Sequence, residues 1–470
     1  MLIRDAEVWG VGPADLRIAK GHIAAIGQLA ALPGEPVIEA RGGTLLPGLH
    51  DHHIHLAASA ARAASIFCGP PEVADAAALA VRLAAASGTG WLRGVGYHES
   101  VMGLPDAAML DGLVADRPLR IQHRGGRMWL LNSRALAELL ELEAPPSGLE
   151  RDNGRFTGRL FDADDWLRKA LGSAPPPLDD LSRNLARLGV TGITEMSPRN
   201  ARAEAGWLAD EVERGALVQR VLLAGSLDLA GAPPSLHWQL GPAKLHLHDA
   251  ALPDFDETVT FVGKAHAQGR ALASHCTTET ELVFTLAAVA EAGSLAGDRI
   301  EHAGIASDEH IAQIASMGLA IVSQPHFIFE RGDQYRGAVD PRDQPLLYRL
   351  ASFRRAGVSL AAGSDAPFGS LDPWAALAAA ISRRTREREI MGADEALTAE
   401  QALALYLADP SDLTRQRSLD VGVAADLCLL DRPWSAAREA LSSSLVRATI
   451  IDGRIVHDRI DQPPIERNAR

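Results

Sequence analysis

The run GTLLPGLHDHHIHL at residues 43–56 reads as an apolar strand that ends in alternating histidines. Side chains at i and i+2 of a strand point to the same side, so His53 and His55 can bind one metal ion together. Asp51 shares that side and is expected to orient a ligand as a neighbouring carboxylate. His50 and His52 face the other way, as packing or surface residues. A metal held in this way, with an open coordination position, is typical of hydrolytic sites.

Two further histidines follow short apolar strands. His275 ends the segment ALASHC, and His302 lies in DRIEHAG. A single strand histidine is usually structural, but two on successive strands beside the histidine pair favour metal ligands. Cys276 and Glu301 are expected to point to the opposite side of their strands and to be packing residues.

A lysine and an aspartate complete the candidate ligand set. Asp365 follows the apolar run VSLAAGS, where a carboxylate can bind a metal and also move protons, the alternative being a helix N-cap. Lys244 lies in GPAKLHLHD, and a charged lysine inside a strand is costly. Burial lowers its pKa, and the neutral amine can then react with carbon dioxide to give a carbamate that bridges two metals. The alternative is a lysine paired with a carboxylate. His246 and His248 are candidate substrate contacts, or either replaces Lys244 as a ligand.

The elements that must position these residues alternate between short apolar strands and Ala/Leu-rich helical stretches. Such alternation predicts a parallel sheet. Eight units predict a (β/α)8 TIM barrel, whose active site lies at the carboxyl ends of the strands. The strands are predicted to end near His53, Glu195, Ser226, His248, His275, His302, Gln324 and Asp365.

The domain organisation is predicted to be split. Residues 1–46 and 415–460 are β-rich and are expected to form one small β-sandwich domain, with the barrel at 47–414 and a tail at 461–470. A long insertion after barrel strand 1, at about 57–185, is expected to lie over the barrel mouth and to face the substrate. The candidate substrate-binding residues in the insertion and at the mouth are His98, Arg127, Glu195 and His326, with Tyr97 and Gln324 as weaker candidates.

The order of these motifs resembles that of the amidohydrolase superfamily: HxH at strand one, Lys at strand four, His at strands five and six, and Asp at strand eight. The split β-domain, the long insertion and the GPAK and GSDAP segments resemble its family 3 branch. The resemblance implies a metal-dependent hydrolase of C–N bonds. It also implies metal ligation by His53, His55, Lys244, His275, His302 and Asp365, with Asp365 as the proton shuttle.

The resemblance implies two divalent metal ions, with zinc expected and Lys244 carboxylated. A single ion remains open, as do manganese, iron, cobalt and nickel, because mixed histidine and carboxylate sites accept all of them. One departure concerns the segment GGRMWLLNS, where Arg127 stands at the histidine position usual in the branch. Its guanidinium could bind a substrate carboxylate as a fork, or could form a surface salt bridge.

Composition limits the partners. The net charge of −14 disfavours nucleic acid and anionic membranes, and no apolar run approaches the ~20 residues of a membrane helix. The three cysteines form no CxxC pair and no export signal is visible, which predicts a cytoplasmic protein. The expected partner is a small-molecule substrate, and the resemblance suggests a homodimer.

The predicted function is hydrolysis of an amide, formamide, carbamate or cyclic amide by a metal-activated hydroxide. The first alternative is a metal-dependent deaminase of an aminated heterocycle. Such enzymes use a glutamate three residues after the strand-five histidine, where this chain has Thr278, followed by Glu279. The second alternative, a non-catalytic scaffold on the same fold, is disfavoured because all six ligand positions are kept.

Overall fold

The computed structural model describes residues 1–70, 72–172 and 175–459, so the tail predicted at 461–470 lies outside the described residues. The chain divides into two compact units. The first joins Met1–Leu56 to the chain from Pro177 onwards, and the second is the insertion Ala57–Pro176. The insertion therefore falls within the predicted range of 57–185.

The first unit contains an eight-stranded parallel sheet whose strands neighbour one another in chain order. Buried strands with few polar residues are typical of a sheet covered on both faces. The strand bounds are Leu49–Ile54, Val190–Glu195, Arg220–Gly225, Gln239–Leu245, Leu272–Cys276, Arg299–His302, Ala320–Ser323 and Leu360–Ala362. These are referred to below as the first to eighth barrel strands.

The sheet closes at the carboxyl ends of its first and eighth strands. The backbone N–H of Asp365 donates to the His53 carbonyl over 2.7 Å, and the N–H of His55 donates to the Ala366 carbonyl over 2.9 Å. Gly363 explains how the strands come so close, because a side chain there would collide with the His53 backbone. The predicted (β/α)8 barrel is confirmed.

The helices of the first unit follow the barrel strands and begin at recognisable caps. Thr278 accepts from the N–H of Glu281, whose carboxylate accepts in return, and this capping box starts the helix after the fifth strand. The helices are Asp179–Arg187, Arg202–Glu213, Phe255–Ala267, Glu279–Ala292, Asp308–Ser316, His326–Ala338, Ala351–Arg355, Pro373–Ser382, Ala399–Leu407 and Trp434–Ala437. Among the described residues, no helix is both long and apolar enough to cross a membrane.

The two ends of the chain share one mixed sheet. Thr44–Pro47 pairs with Leu427–Leu430 on one side and with Leu2–Val8 on the other, which joins the termini directly. The remaining strands are Gly12–Ala19, His22–Gly27, Val37–Glu39, Val446–Ile451 and Arg454–Asp458, and a separate hairpin pairs Ala408–Asp409 with Asp412–Gln416. The predicted joining of both ends is found, but the two-layer sandwich is not confirmed.

The inserted unit has its own six-stranded sheet and its own apolar clusters. Its strands are Ile66–Phe67, Leu92–Tyr97, Leu119–His123, Met128–Leu131, Leu149–Asp152 and Arg155–Phe161. Its helices are Leu56–Ala63, Ala76–Ala84, Ala107–Asp111, Ser133–Leu142 and Asp164–Leu171. That this unit faces the substrate stays a prediction.

Candidate metal centre

Two imidazoles and one carboxylate converge where the first and eighth barrel strands end. The Nε2 atoms of His53 and His55 lie 3.4 Å and 3.3 Å from Oδ1 of Asp365. These three residues form a group whose ligand atoms all lie within 4.8 Å of one another. Asp365 has a φ of 49°, which turns its side chain back towards the histidine pair after the strand has ended.

The other ring nitrogen of His53 is held by a carboxylate. His53 Nδ1 donates to Glu301 over 2.6 Å, and the second oxygen of Glu301 accepts from Arg299 Nε over 2.6 Å. Burial and the charge of Lys244 lower the pKa of His53 to about 4, so the ring is neutral at pH 7. Because an ionised carboxylate can only accept, the single ring proton is on Nδ1 and the Nε2 lone pair faces Asp365.

The prediction that Glu301 is a packing residue was wrong. Regular alternation would put Glu301 and His302 on opposite faces of the strand. His302, however, has a φ of 73°, so the backbone turns at that residue and both side chains reach the centre. Although burial opposes its ionisation, Arg299 and His53 hold the pKa of Glu301 below its usual range. The sequence contains one signal for this role of Glu301: an arginine and a glutamate, Arg299 and Glu301, stand two residues apart in an otherwise apolar strand.

Backbone contacts fix the remaining neighbours of the histidine pair. Asp51 accepts from the N–H groups of His53 and Ser364, so it fastens the first strand to the eighth rather than orienting an imidazole. Ser197 Oγ lies 3.2 Å from His55 Nδ1. On the opposite face of the first strand, His50 is buried and its Nε2 lies 2.9 Å from Thr194 Oγ1.

His302 and His275 continue the site from the sixth and fifth strands. The ring centroids of His53 and His302 are 4.9 Å apart, and those of His302 and His275 are 4.5 Å apart. His302 Nδ1 donates to the side-chain oxygen of Gln324 over 2.7 Å, which leaves Nε2 free. Burial lowers the pKa of His302 to about 4. Gln324 therefore orients His302.

Lys244 lies buried in the fourth strand, and its Nζ has no hydrogen-bond partner among the described residues. Burial lowers the pKa of this amine. Its charge in turn helps to lower the pKa of His275, after burial and the effect of His302. The predicted alternative, a lysine paired with a carboxylate, is not found within the described chain.

The donor set fits a metal ion. The Nε2 lone pair of His53 faces a carboxylate oxygen with no proton between them, and His55 Nε2 lies beside the same oxygen, so a cation between the three side chains accounts for the arrangement. Two ligands at 2.0–2.1 Å from one ion are about 3.3–3.4 Å apart at the tetrahedral angle. The separations of Asp365 Oδ1 from His55 Nε2 and His53 Nε2 have these values. The neutral ring of His53 and the second contacts on Nδ1 of His53 and His55 are also what metal ligation requires.

The predicted substrate-binding residues of the first unit fall into two groups. His246 and His248 are exposed, and the His246 ring lies 4.7 Å from the His275 ring, so they continue the line of imidazoles away from Lys244. Glu195 and His326 are buried, and both are engaged in hydrogen bonds within the protein. Glu195 accepts from the N–H groups of Leu56 and Ser197 and from the Asn200 amide, and His326 Nε2 donates to the Ser364 carbonyl. This placement favours structural roles for Glu195 and His326 over the predicted substrate contacts.

Three of the predicted candidates, Arg127, His98 and Tyr97, lie in the inserted unit. Arg127 makes two hydrogen bonds to Asp162, of 2.7 Å and 2.6 Å, and both side chains are more than half exposed. This is the surface salt bridge that the sequence left open as an alternative. His98 Nδ1 lies 2.8 Å from Ser100 Oγ, and Tyr97 is buried and donates to the Gly103 carbonyl.

The fold is a parallel barrel with a candidate metal centre at the carboxyl ends of its strands. The sequence profile of the amidohydrolase family matches residues 36–457, and the chain belongs to that family. It is therefore an enzyme that hydrolyses carbon–nitrogen bonds other than peptide bonds.

Similar proteins cover almost the whole chain. N-substituted formamide deformylase of Arthrobacter pascens is 25% identical over 515 aligned positions, which cover 94% of each chain. An uncharacterized metal-dependent hydrolase of Pyrococcus furiosus has a TM-score of 0.73 at 21% identity and covers 92% of this chain and 98% of its own. Its counterpart from Pyrococcus horikoshii has a TM-score of 0.74 at 19% identity, with 97% and 99% covered. Identities this low show a shared fold.

Proposed function

We propose that this chain is a metal-dependent hydrolase that cleaves the C–N bond of an amide, formamide, carbamate or cyclic amide in a small molecule. The observation that carries the proposal is the pair of histidine Nε2 atoms facing Oδ1 of Asp365 at 3.3 and 3.4 Å. Family membership supports the bond type, and the similarity to a formamide deformylase supports small N-acyl or N-formyl substrates.

We assign the metal ligands to the side-chain atoms of the site that face one another and are not needed for other contacts. His53, His55 and Asp365 would hold one ion. His275 and His302 would hold a second ion, with Lys244 between the two positions after its amine has taken up carbon dioxide. A buried amine with a lowered pKa and no partner is the reactive form that this modification needs. Zinc is the proposed ion, because the distances suit tetrahedral coordination by nitrogen and oxygen.

A bound metal ion supplies Lewis acidity, which lowers the pKa of water from 15.7 to about 7 and polarises a carbonyl. Residues of the chain transfer the proton, orient the ligands and contact the substrate. Asp365 Oδ1 takes a proton from the attacking water and returns it to the leaving nitrogen. Glu301 keeps the proton of His53 on Nδ1 and thereby keeps Nε2 available as a ligand. His246 and His248, exposed beside His275, contact the substrate.

The proposal is tested by metal removal and reconstitution. Protein treated with a chelator should lose hydrolysis of a panel of N-formyl, N-acetyl and N-carbamoyl amines and amino acids. Zinc, manganese or cobalt should restore it with up to two ions per chain, measured by elemental analysis. The matched variants are His55→Asn, which should lose metal and activity together, and His22→Asn, whose exposed ring contacts its own neighbourhood and should change neither.

The competing outcome is deamination. Release of ammonia from aminopyrimidines or aminotriazines, without hydrolysis of the amide panel, would replace the proposed function by the deaminase alternative. Thr278, at the position where a deaminase would carry its glutamate, is the capping residue of a helix. A chain that binds no metal after reconstitution would instead be a scaffold. The homodimer and the cytoplasmic location stay predictions from the sequence.

A further inference from the structure

Arg331, a half-buried arginine close to the metal centre, is one of several without a carboxylate partner in the described part of the first unit. Arg331 lies in the helix His326–Ala338, and its guanidinium is 3.8 Å from the centre of the Phe327 ring. Its Nη2 donates to the Phe368 carbonyl over 2.5 Å, and Tyr335 is among the neighbours that raise its pKa. Within the described residues, no carboxylate oxygen of an Asp or Glu lies within 4.0 Å of the side-chain nitrogens of Arg331, which is the distance limit for an ion pair.

The position of Arg331 ties it to the metal centre. Phe368, whose carbonyl it contacts, follows Asp365 by three residues, and the Phe368 ring meets the His55 ring edge-on at 5.8 Å. Burial lowers the pKa of Arg331, but Tyr335, Tyr348 and Asp365 outweigh it and raise that pKa. The guanidinium therefore lies within electrostatic reach of Asp365 and belongs to the rim of the metal site.

The arrangement leaves hydrogen-bonding capacity unused. A guanidinium has five N–H donors in a planar fork, and the Phe368 carbonyl engages only one of its nitrogens. Buried arginines of this unit are compensated in two ways: Arg270 and Arg383 donate to several backbone carbonyls, and others pair with an anion. Arg349, in the same unit, shows that compensation, because it contacts both Asp308 and Glu395. Within the described residues, Arg331 has one backbone carbonyl and no carboxylate, so an anion from outside the chain would complete its contacts.

Aromatic side chains surround this cation. The Tyr335 and Tyr348 rings are stacked at 6.1 Å, and the Phe327 ring meets Tyr348 edge-on at 5.7 Å. A planar donor fork beside aromatic rings recognises a carboxylate attached to an apolar body. The fork that the sequence suggested for this role, Arg127, is already occupied by Asp162.

We propose that Arg331 binds the carboxylate of the substrate, so that the enzyme acts on N-formyl, N-acyl or N-carbamoyl derivatives of amino acids or related small acids. This rests on the proposed function, since it names the substrate class of the same site. It makes Arg331 a specificity-determining residue: it holds the charged end of the substrate while the C–N bond lies at the metal centre.

The test uses matched probes on the metal-loaded enzyme. N-formylphenylalanine and N-carbamoylphenylalanine are compared with their uncharged primary amides by calorimetric binding. The wild type should bind each acid about 10- to 100-fold more tightly than its amide, the range expected for charge-assisted hydrogen bonds. Arg331→Gln should remove this preference without weakening the amides. Arg331→Lys should keep part of it, and Arg336→Gln, an exposed arginine of the same helix, should keep all of it.

Three outcomes would overturn or support the role of Arg331. Equal binding of acid and amide by the wild type overturns the proposal. A preference for acids that survives in Arg331→Gln also overturns it, because the carboxylate would then bind the metal. Equal weakening of acids and amides in Arg331→Gln, with a lowered Tm, shows a merely structural role and also overturns it. Hydrolysis is scored separately. Preferred binding of acids without hydrolysis of any probe supports Arg331 and refutes the proposed function, whereas hydrolysis without charge preference does the reverse.

Discussion

The two halves of the metal centre differ in how firmly their ligands are held. On the side of the first and eighth strands, His53 is bonded to Glu301, His55 lies beside Ser197, and the Asp365 backbone is tied to the first strand. On the side of the fourth and fifth strands, Lys244 Nζ and the His275 ring form no hydrogen bond within the described part of the chain.

This difference in how the ligands are held indicates which half of the site should bind its metal ion more tightly. Ligands that are already oriented lose little freedom on binding, and partners on the second nitrogen raise their basicity. We therefore expect the half with His53, His55 and Asp365 to bind its ion more tightly. The half with Lys244 and His275 is expected to bind an ion only after the lysine has gained its carbamate.

The largest effect is expected from Asp365→Asn. This change replaces the basic carboxylate that takes and returns the proton by a non-basic amide, so kcat should fall about 10²- to 10⁴-fold. His53 and His55 remain, and bound metal should be retained, as elemental analysis of the purified variant would show. Asp340→Asn changes an exposed carboxylate and serves as the control. Full activity in Asp365→Asn would exclude this residue as the proton carrier.

Removing the partner of His53 probes the firmly held half. Glu301→Gln replaces an obligate acceptor by an amide that can also donate, so the His53 proton is no longer restricted to Nδ1. We expect the affinity for the first ion to fall about 10- to 100-fold, measured by competition of cobalt or zinc with a chelator. Glu279→Gln, an exposed glutamate, is the matched control. Unchanged affinity in Glu301→Gln would mean that the Nδ1 contact does not set the ligand.

Lys244→Met probes the loosely held half. Without an amine no carbamate can form, so the metal content should fall from two ions to one. In the metal-free protein the same change removes an unpaired buried amine, and the free energy of unfolding should rise by about 1 kcal/mol or more. Urea unfolding and elemental analysis measure the two effects, with the exposed Lys264→Met as control. Two retained ions would contradict the assignment of Lys244.

The fold could be predicted because local patterns determine it. Apolar strands alternating with helices gave strand ends near Glu195, His275 and His302, and the structure ends the second, fifth and sixth barrel strands within one residue of them. The fourth strand, predicted to end near His248, ends at Leu245 because the chain then leaves the sheet. The two-layer form of the terminal domain depends on packing between distant segments, and a strand pattern does not contain it.

The contacts around the ligands could be predicted only in part. Spacing along strands indicated the six candidate ligands, but Glu301 was assigned to the wrong face because the backbone turn at His302 cannot be seen in a pattern of period two. The Gln324 contact to His302 joins two strands, so only the fold reveals it. The sequence also could not distinguish an arginine that is paired with a carboxylate, such as Arg127, from one without a carboxylate partner in the described chain, such as Arg331.

Arg127→Ala should have the smallest effect, and it separates those two arginines. The pair with Asp162 is more than half exposed on both sides, and such pairs contribute about 0.2–1 kcal/mol. Urea unfolding should show a loss within that range, and the KM for N-formylphenylalanine should not change. A large rise in that KM, with Arg331→Gln unaffected, would return the carboxylate-binding role to Arg127. The loss of affinity for acids should instead follow Arg331, because the charge of Arg127 is already compensated by Asp162, whereas Arg331 has no carboxylate partner among the described residues.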